Sequence, residues 1–290
     1  MNGVLVVDKP QGPTSFDVVR EVRRALGVKK AGHTGTLDPM ATGVLPVCVG
    51  DATKIAQFIT VATKTYDAVV RLGVSTDTLD AEGRVLAERP VPAVTRELLD
   101  VALARFRGTF AQTPPMYSAV KVGGRRLYEL ARSGEEIERA PRQVTVHELV
   151  LRDFSATQLT LTVRASKGFF VRSLAAELGD ALGCGAHLAA LRRTQAGPFT
   201  LAQAIPLAEV QAGGAALAQR LVSMSDALVD VPRLTVSAAE AERVQHGGLV
   251  EVPAALTGLH RVMGPGDVLL ALADAERGRL HYRRVLSRDG

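Results

Sequence analysis

The sequence predicts a mixed α+β protein that ends in a compact β-rich barrel. Three observations predict it. Up to about residue 200, short apolar runs of strand length alternate with stretches whose apolar residues recur at helical spacing. Asp230-Val-Pro232 then marks a boundary, after an alanine-rich stretch from 202 to 228 that reads as helical. Beyond it, roughly sixty residues carry short strands and glycine turns, the pattern of a small barrel. No internal repeat or low-complexity segment interrupts this order. Two domains are therefore expected, 1–230 and 231–290.

The elements follow in order. Val4 to Val7 is a strand that runs through Pro10-Gln-Gly-Pro13 into a helix starting near Thr14. Thr14 and Asp17 have capping-box spacing. Val18, Val22, Ala25 and Leu26 make that helix's apolar face, with Arg20, Arg23 and Arg24 mostly opposite. Val44 to Val49 reads as a buried strand, 52–59 as a helix and Lys64 to Leu72 as a strand. Thr76 to Gly83 is turn-rich, and Thr95 to Phe106 is helical. After Pro114-Pro115, the run Val122-Gly-Gly-Arg125 signals a tight turn, and Leu127 to Arg132 a short helix stopped at Gly134. Strands are expected over 144–154 and 158–165, then a helix from Val171 to Leu182 stopped at Gly183. In the last domain the strands are Leu234–Val236, Leu249–Val252, Val268–Leu272 and Arg279–Leu286.

Composition narrows the function classes. No leader precedes Val4, and no apolar stretch reaches membrane-spanning length, so a cytoplasmic protein is expected. The two cysteines, Cys48 and Cys184, lie far apart among small or apolar residues, which points to free thiols. The six histidines show no ligand spacing, so neither a metal nor another cofactor is expected. Lysine and arginine exceed aspartate and glutamate by 35 to 30, and their placement says more than the net +5. Lys121, Arg125, Arg126 and Arg132 form one cluster, opposed only by Glu129. Arg277, Arg279, Arg283, Arg284 and Arg288 form another at the C-terminus. Two such clusters suit a long polyanion, although either alone also reads as a solvated face.

The most telling stretch is Ala31-Gly-His33-Thr-Gly-Thr-Leu-Asp38-Pro-Met-Ala-Thr-Gly-Val-Leu45. It holds one carboxylate among Gly32, Gly35 and Gly43, with His33 five residues upstream and the strand from Val44 anchoring the loop. Glycines permit close backbone approach, and Pro39 keeps Asp38 out of helical geometry. By residue type alone, such an Asp is turn chemistry or a reactive group offered to a substrate.

The longer strings resemble a known family. Gly32-His33-Thr-Gly-Thr-Leu-Asp38-Pro-Met-Ala-Thr-Gly43 resembles the catalytic motif of the TruB family, bacterial tRNA pseudouridine-55 synthases. Asn2 to Pro10, Lys64-Thr-Tyr66, Arg71-Leu-Gly73 and Thr76-Asp77-Thr78 are similar to further segments of that family. So are Pro115-Met-Tyr117-Ser-Ala-Val-Lys121, Ser166-Lys-Gly168 with Val171-Arg172, and Gly185-Ala-His187 with Leu191-Arg-Arg193. The likeness spans roughly residues 2–200 in the family's order.

It implies a pseudouridine synthase fold, a mainly antiparallel sheet with flanking helices, and a C-terminal module similar to a PUA-type RNA-binding domain. Asp38 is implied as the catalytic residue. Arg172 is implied as its ion partner, Tyr66 as the residue stacking on the target base, and Leu191 as pocket wall. His33 is implied as the group that enters the RNA when the uridine flips out, and Lys9 as a brace at the substrate site. Residues 116–142 are implied as the thumb loop that grips tRNA. One departure stands out. The family string is usually Ser-Lys-Gly-Thr-Tyr, whereas this chain reads Ser166-Lys-Gly-Phe-Phe170. Phe170 keeps the ring and lacks the hydroxyl. The expected partner is the T-arm of tRNA, with the C-terminal module on the acceptor stem and no guide RNA, membrane or second subunit. The competing readings are the catalytic subunit of a guide-RNA ribonucleoprotein and a non-catalytic RNA-binding factor.

Overall fold

The computed structural model describes residues 1–135 and 137–286. The Arg132 side chain and Arg288, both counted in the expected basic clusters, lie outside that description.

The main sheet runs, edge to edge, Ile205–Pro206, Gly3–Lys9, Thr42–Val49, Ala186–Ala196, Lys64–Leu72, Gln158–Ala165, Arg142–Phe154 and Gly108–Gln112. Its pairs are antiparallel except Gly3–Lys9 with Ile205–Pro206 and Thr42–Val49 with Ala186–Ala196. Ala31–His33 adds to Thr42–Val49, and Phe199–Thr200 to Ala186–Ala196.

The near-continuous apolar runs of the first two long strands have a simple cause: both of their faces are covered. In register, Leu5 sits beside Val47 and Val7 beside Leu45, facing a core shared with Val18 and Val22 of helix Ser15–Leu26. Val4 sits beside Cys48 and faces the opposite way, into a core with Ala52, Ile55, Met263, Leu269, Leu272 and Leu286. That second core joins the main sheet to the C-terminal one. Each fully buried aliphatic side chain there contributes about 1.5–3 kcal/mol, so neither sheet can be stripped away without uncovering the other.

The C-terminal residues form a four-stranded sheet, Arg233–Thr235, Gly258–Met263, Leu269–Glu276 and Arg279–Val285, with helix Ala238–Gln245 packed through Ala241 and Val244. The expected small β module is present as this sheet, and no strand pair closes it into a barrel among the described residues. Leu249–Val252, expected as a strand, meets Arg279 through a single bridge at Glu251, and Pro253 has no N–H to extend a ladder. The helical run expected from 202 to 228 is also broken. Pro206 ends a two-residue strand, and Gly213 and Gly214, at φ 68° and 104°, separate the short helices Leu207–Ala212 and Ala215–Gln219. The helix expected over 52–59 is a 3₁₀ turn, Gly50–Lys54, followed by Ala56–Thr60. Thr14 and Asp17 do form a capping box, and the hairpin Lys121–Val122/Arg125–Arg126 turns at Gly123-Gly124. No helix among the described residues is long and apolar enough to cross a membrane.

Candidate active site

Asp38 sits in a loop tied down from three sides. From the first helix, the Ser15 hydroxyl donates to the Leu37 carbonyl (2.9 Å) and accepts from the Leu37 N–H (2.8 Å). From the first strand, the fully buried Lys9 ammonium donates to the carbonyls of Pro10 (3.0 Å), Pro39 (3.0 Å) and Ala41 (2.7 Å). From the central strand, Arg193, also fully buried, donates to the carbonyls of Val44 (2.7 Å), Gly35 (3.0 Å) and Thr36 (3.4 Å). The Ala41 N–H closes the turn onto the Asp38 carbonyl at 3.0 Å. Of the three loop glycines only Gly43 is required by geometry. Its φ is 102°, and a Cβ there would stand 2.2 Å from the Arg193 carbonyl oxygen.

Arg172 lies in the first turn of helix Val171–Ala181 with 5% of its side chain exposed. Its Nε is 3.0 Å from Asp38 Oδ2, and its Nη1 is 3.3 Å from Asp80 Oδ2. The remaining donors go to the carbonyls of Thr78 (3.1 Å) and Tyr117 (2.7 Å). Asp80 is itself fixed, accepting from the Thr78 hydroxyl (2.5 Å) and the Glu82 N–H (3.1 Å). One guanidinium thus serves two carboxylates. Asp38 is the open one, with 34% of its side chain exposed against 4% for Asp80.

The electrostatics follow from that arrangement. Burial and the Asp80 charge push the Asp38 pKa up, against the pull of Arg172, Lys9 and Arg193. Burial lowers Lys9 to about 8, partly offset by Asp38. His33 is pushed down by burial and the Arg193 charge, which favours the neutral ring, and its buried Nδ1 has no hydrogen-bond partner among the described residues.

Register places the other expected residues. Arg193 pairs with Tyr66 and Leu191 with Ala68 on adjacent strands. Tyr66, Leu191 and Arg193 therefore share the sheet face whose arginine holds the Asp38 loop. Burial pushes the Arg193 pKa down, and the neighbouring Tyr66 counters that. Tyr66 is half-buried and Leu191 buried. Phe170 immediately precedes the Arg172 helix, half-buried. Lys9, expected at the substrate site, is enclosed, with its donors spent on carbonyls. A concavity of about 1010 Å³ lined by Arg71, Arg89 and Phe154 contains none of these groups.

Sequence reasoning missed Asp80 and assigned no role to Arg193. For Arg193 a signal existed: in a strand it must face the same way as Leu191, two residues earlier. The hairpin cluster has a second acid, because Arg125 pairs with Glu135 at 3.1 Å. Arg283 of the C-terminal cluster likewise pairs with Asp274 on the neighbouring strand.

The model of the N-terminal domain of TruB family pseudouridylate synthases matches residues 23–171. That of the tRNA pseudouridylate synthase B C-terminal domain matches 172–229. A protein named tRNA pseudouridine synthase B from Azoarcus sp. (strain BH72) is 47% identical over 288 residues, covering 99% of this chain and 95% of that protein. One of the same name from Symbiobacterium thermophilum is 54% identical over 250 residues, covering 85% and 82%. Among solved structures, a Cbf5-Nop10-Gar1 complex matches with a TM-score of 0.77 at 27% identity, covering 99% of this chain and 86% of the other. The motifs around Asp38, the sheet that carries them and these relatives agree: the chain belongs to the TruB family of pseudouridylate synthases.

Proposed function

We propose that this chain converts the T-loop uridine of tRNA, uridine-55, to pseudouridine as a stand-alone cytoplasmic enzyme, with Asp38 as nucleophile on a flipped-out base. The observation that carries the reading is the half-open Asp38 carboxylate held 3.0 Å from a buried arginine. The relatives named tRNA pseudouridine synthase B support the substrate.

The reaction breaks the N1–C1′ bond, turns the uracil and joins C1′ to C5. C5 loses a proton and N1 gains one, so no oxidant, reductant or energy donor enters the balance. An ionised Asp38 can bond transiently to carbon, stabilise positive charge on the sugar, or take up a proton. Arg172 fixes its direction through a charge-assisted bond. Burial makes the carboxylate more basic, at the cost of its ionised fraction as pH falls. The single-turnover rate should therefore drop on acidification through a pKa above the usual carboxylate range. Tyr66 and Leu191 suit a flat, partly apolar base. A neutral His33 suits the gap left in the RNA stack, where flipping costs a few kcal/mol. Residues 1–230 would carry the chemistry. Residues 231–290 would add RNA contacts toward the acceptor stem through exposed Arg279 and Arg284.

A second reading, the catalytic subunit of a guide-RNA particle, is favoured by the likeness to the Cbf5-Nop10-Gar1 complex. The higher identity to the tRNA synthases and the hairpin within 116–142 favour the stand-alone enzyme.

The test is to incubate purified protein with an unmodified tRNA T-arm, without guide RNA, and map pseudouridine. Product at the T-loop uridine is expected, and no product without a guide would favour the second reading. Asp38→Asn should lower the single-turnover rate at least about 10³-fold, in the range expected for losing a nucleophile, with tRNA affinity retained. Because burial favours the neutral form, Asn should not lower the Tm at pH 7. Equal losses of binding and rate would make Asp38 structural.

A further inference from the structure

Gln112 closes the edge strand Gly108–Gln112 and is 2% exposed. Its side-chain amide bonds twice to one residue. Nε2 donates to the Phe170 carbonyl at 3.1 Å, and the Phe170 N–H donates to Oε1 at 2.8 Å. A side chain thereby makes the two-bond pairing that a neighbouring strand would make. The residue it grips lies two before Arg172, and its carbonyl also accepts the helix bond from the Leu174 N–H at 3.2 Å. The Phe170 side chain itself makes no cap bond.

The chain after Gln112 keeps following the helix. The Thr113 carbonyl accepts from the Ser173 hydroxyl at 3.4 Å, and the Tyr117 carbonyl from Arg172 Nη2 at 2.7 Å. Hairpin Lys121–Arg126 follows directly, so the root of the hairpin and the first turn of the Arg172 helix are laced together, with Gln112 as the first and doubly bonded stitch. A buried amide costs free energy unless both its ends are paired, and here both are paired to the backbone of the same residue.

We propose that Gln112 is a positioning residue: it holds the Phe170 backbone so that the Phe170 ring and the Arg172 guanidinium are presented to Asp38, and it couples the hairpin's root to that ion pair. The inference rests on the proposed reaction only for its kinetic consequence; the geometry it asserts is that of Arg172.

The test compares Gln112→Met, which keeps the length and loses both bonds, with Gln112→Glu, which keeps the acceptor and regains a donor only when protonated. In the free protein, the Arg172 Nε–H resonance should exchange with water at least about tenfold faster in Gln112→Met, as expected when a buried bond opens more often. In single-turnover assays with saturating T-arm, Gln112→Met should be about 10- to 100-fold slower, the scale of a misplaced catalytic group, with Kd within about threefold. The ratio of the Gln112→Glu rate to the wild-type rate should rise as pH falls; taking the ratio removes the effect of Asp38 protonation. A folded Gln112→Met with wild-type Nε–H exchange overturns the proposal, whether or not the wild type acts on tRNA. So does a common loss of Tm, affinity and rate with a pH-independent ratio, which would leave Gln112 a packing residue. A wild-type protein inert on tRNA, with the exchange effect present, would overturn the reaction and leave the positioning role standing.

Discussion

The Asp38 loop and the hairpin after Tyr117 both carry glycines and both lie among positive charges, yet they are held by opposite means. Around Asp38 the charges are buried: Lys9, Arg193 and Arg172 spend their donors on loop carbonyls and carboxylates. Around the hairpin they are exposed. Lys121, Arg125 and Arg126 face solvent, and the Arg125–Glu135 pair is about half exposed on each side. Among the described residues of that segment, Leu127 and Leu130 are buried apolar side chains. In a low-dielectric interior, a fully satisfied polar network fixes one geometry and penalises every other. A surface ion pair is worth about 0–1 kcal/mol and can be exchanged for a phosphate. The loop is thus built for placement, whereas the hairpin, under the proposed function, suits adjustable contact with a polyanion.

The sharpest way to break that contrast is to remove a brace from the loop. Lys9→Met removes a donor from three carbonyls, of which that of Pro39 keeps the Gly12 N–H and that of Ala41 is left buried. This should cost about 2 kcal/mol of stability by the penalty for buried unpaired groups, read as the urea midpoint. The loosened loop should also slow single-turnover pseudouridine formation at least about tenfold, since small misplacements of a reacting group are costly. The pH dependence has a definite sign. Lys9 is one of the charges holding the Asp38 pKa down, so its loss should move the acid limb of the rate to higher pH. An unchanged limb would mean that Lys9 and Asp38 do not share a field.

That brace also shows where the sequence was legible and where it was not. Asp38, Tyr66 and Arg172 stand in local strings that carry the family likeness, and their strands and helix follow from periodicity and caps. Lys64–Leu72 appears with the bounds expected for it. Asp80 was hidden because Thr76–Gly83 reads as turn chemistry. Its place depends on Leu79 at φ 65°, a conformation that a leucine does not announce, and on a bridge to Leu188, far away in sequence. Gln112 was hidden for the same reason, since nothing nearby announces a bond to a peptide 58 residues away. The helix Ala238–Gln245 had a readable start in Ser237 and Glu240. The C-terminal β module was legible, but its strand pairing was not, because pairing is set by tertiary contacts rather than by strand count.

On the hairpin the expected effects are smaller and of another kind. Arg125→Ala with Arg126→Ala should change stability by no more than about 0.5 kcal/mol, as for exposed ion pairs. Affinity for the T-arm should fall about 3- to 10-fold at moderate salt, and the salt slope of log Kd should shrink by about one to two. The loss should appear in binding more than in the single-turnover rate at saturation. A large fall in Tm with an unchanged salt slope would make the hairpin a structural clamp, erasing the contrast with the loop.

The smallest effect is expected where the two regions meet. Phe170 stands where the family usually carries tyrosine, and an obligatory hydroxyl there would leave this chain impaired. The geometry argues otherwise. Both polar groups of the Phe170 backbone are held by Gln112, so the direction of the ring is set through the main chain and does not need a hydroxyl to find it. A flat ring is sufficient to line a pocket for a base, and under the proposed function proton transfer has a candidate in Asp38, whose basicity burial has raised. Phe170→Tyr should therefore change the single-turnover rate by less than about threefold, within the spread of a substitution that leaves the reacting geometry in place. A gain of several orders of magnitude would assign the hydroxyl a direct part in moving the proton and would shift the chemistry from the buried network to the rim that the hairpin adjoins.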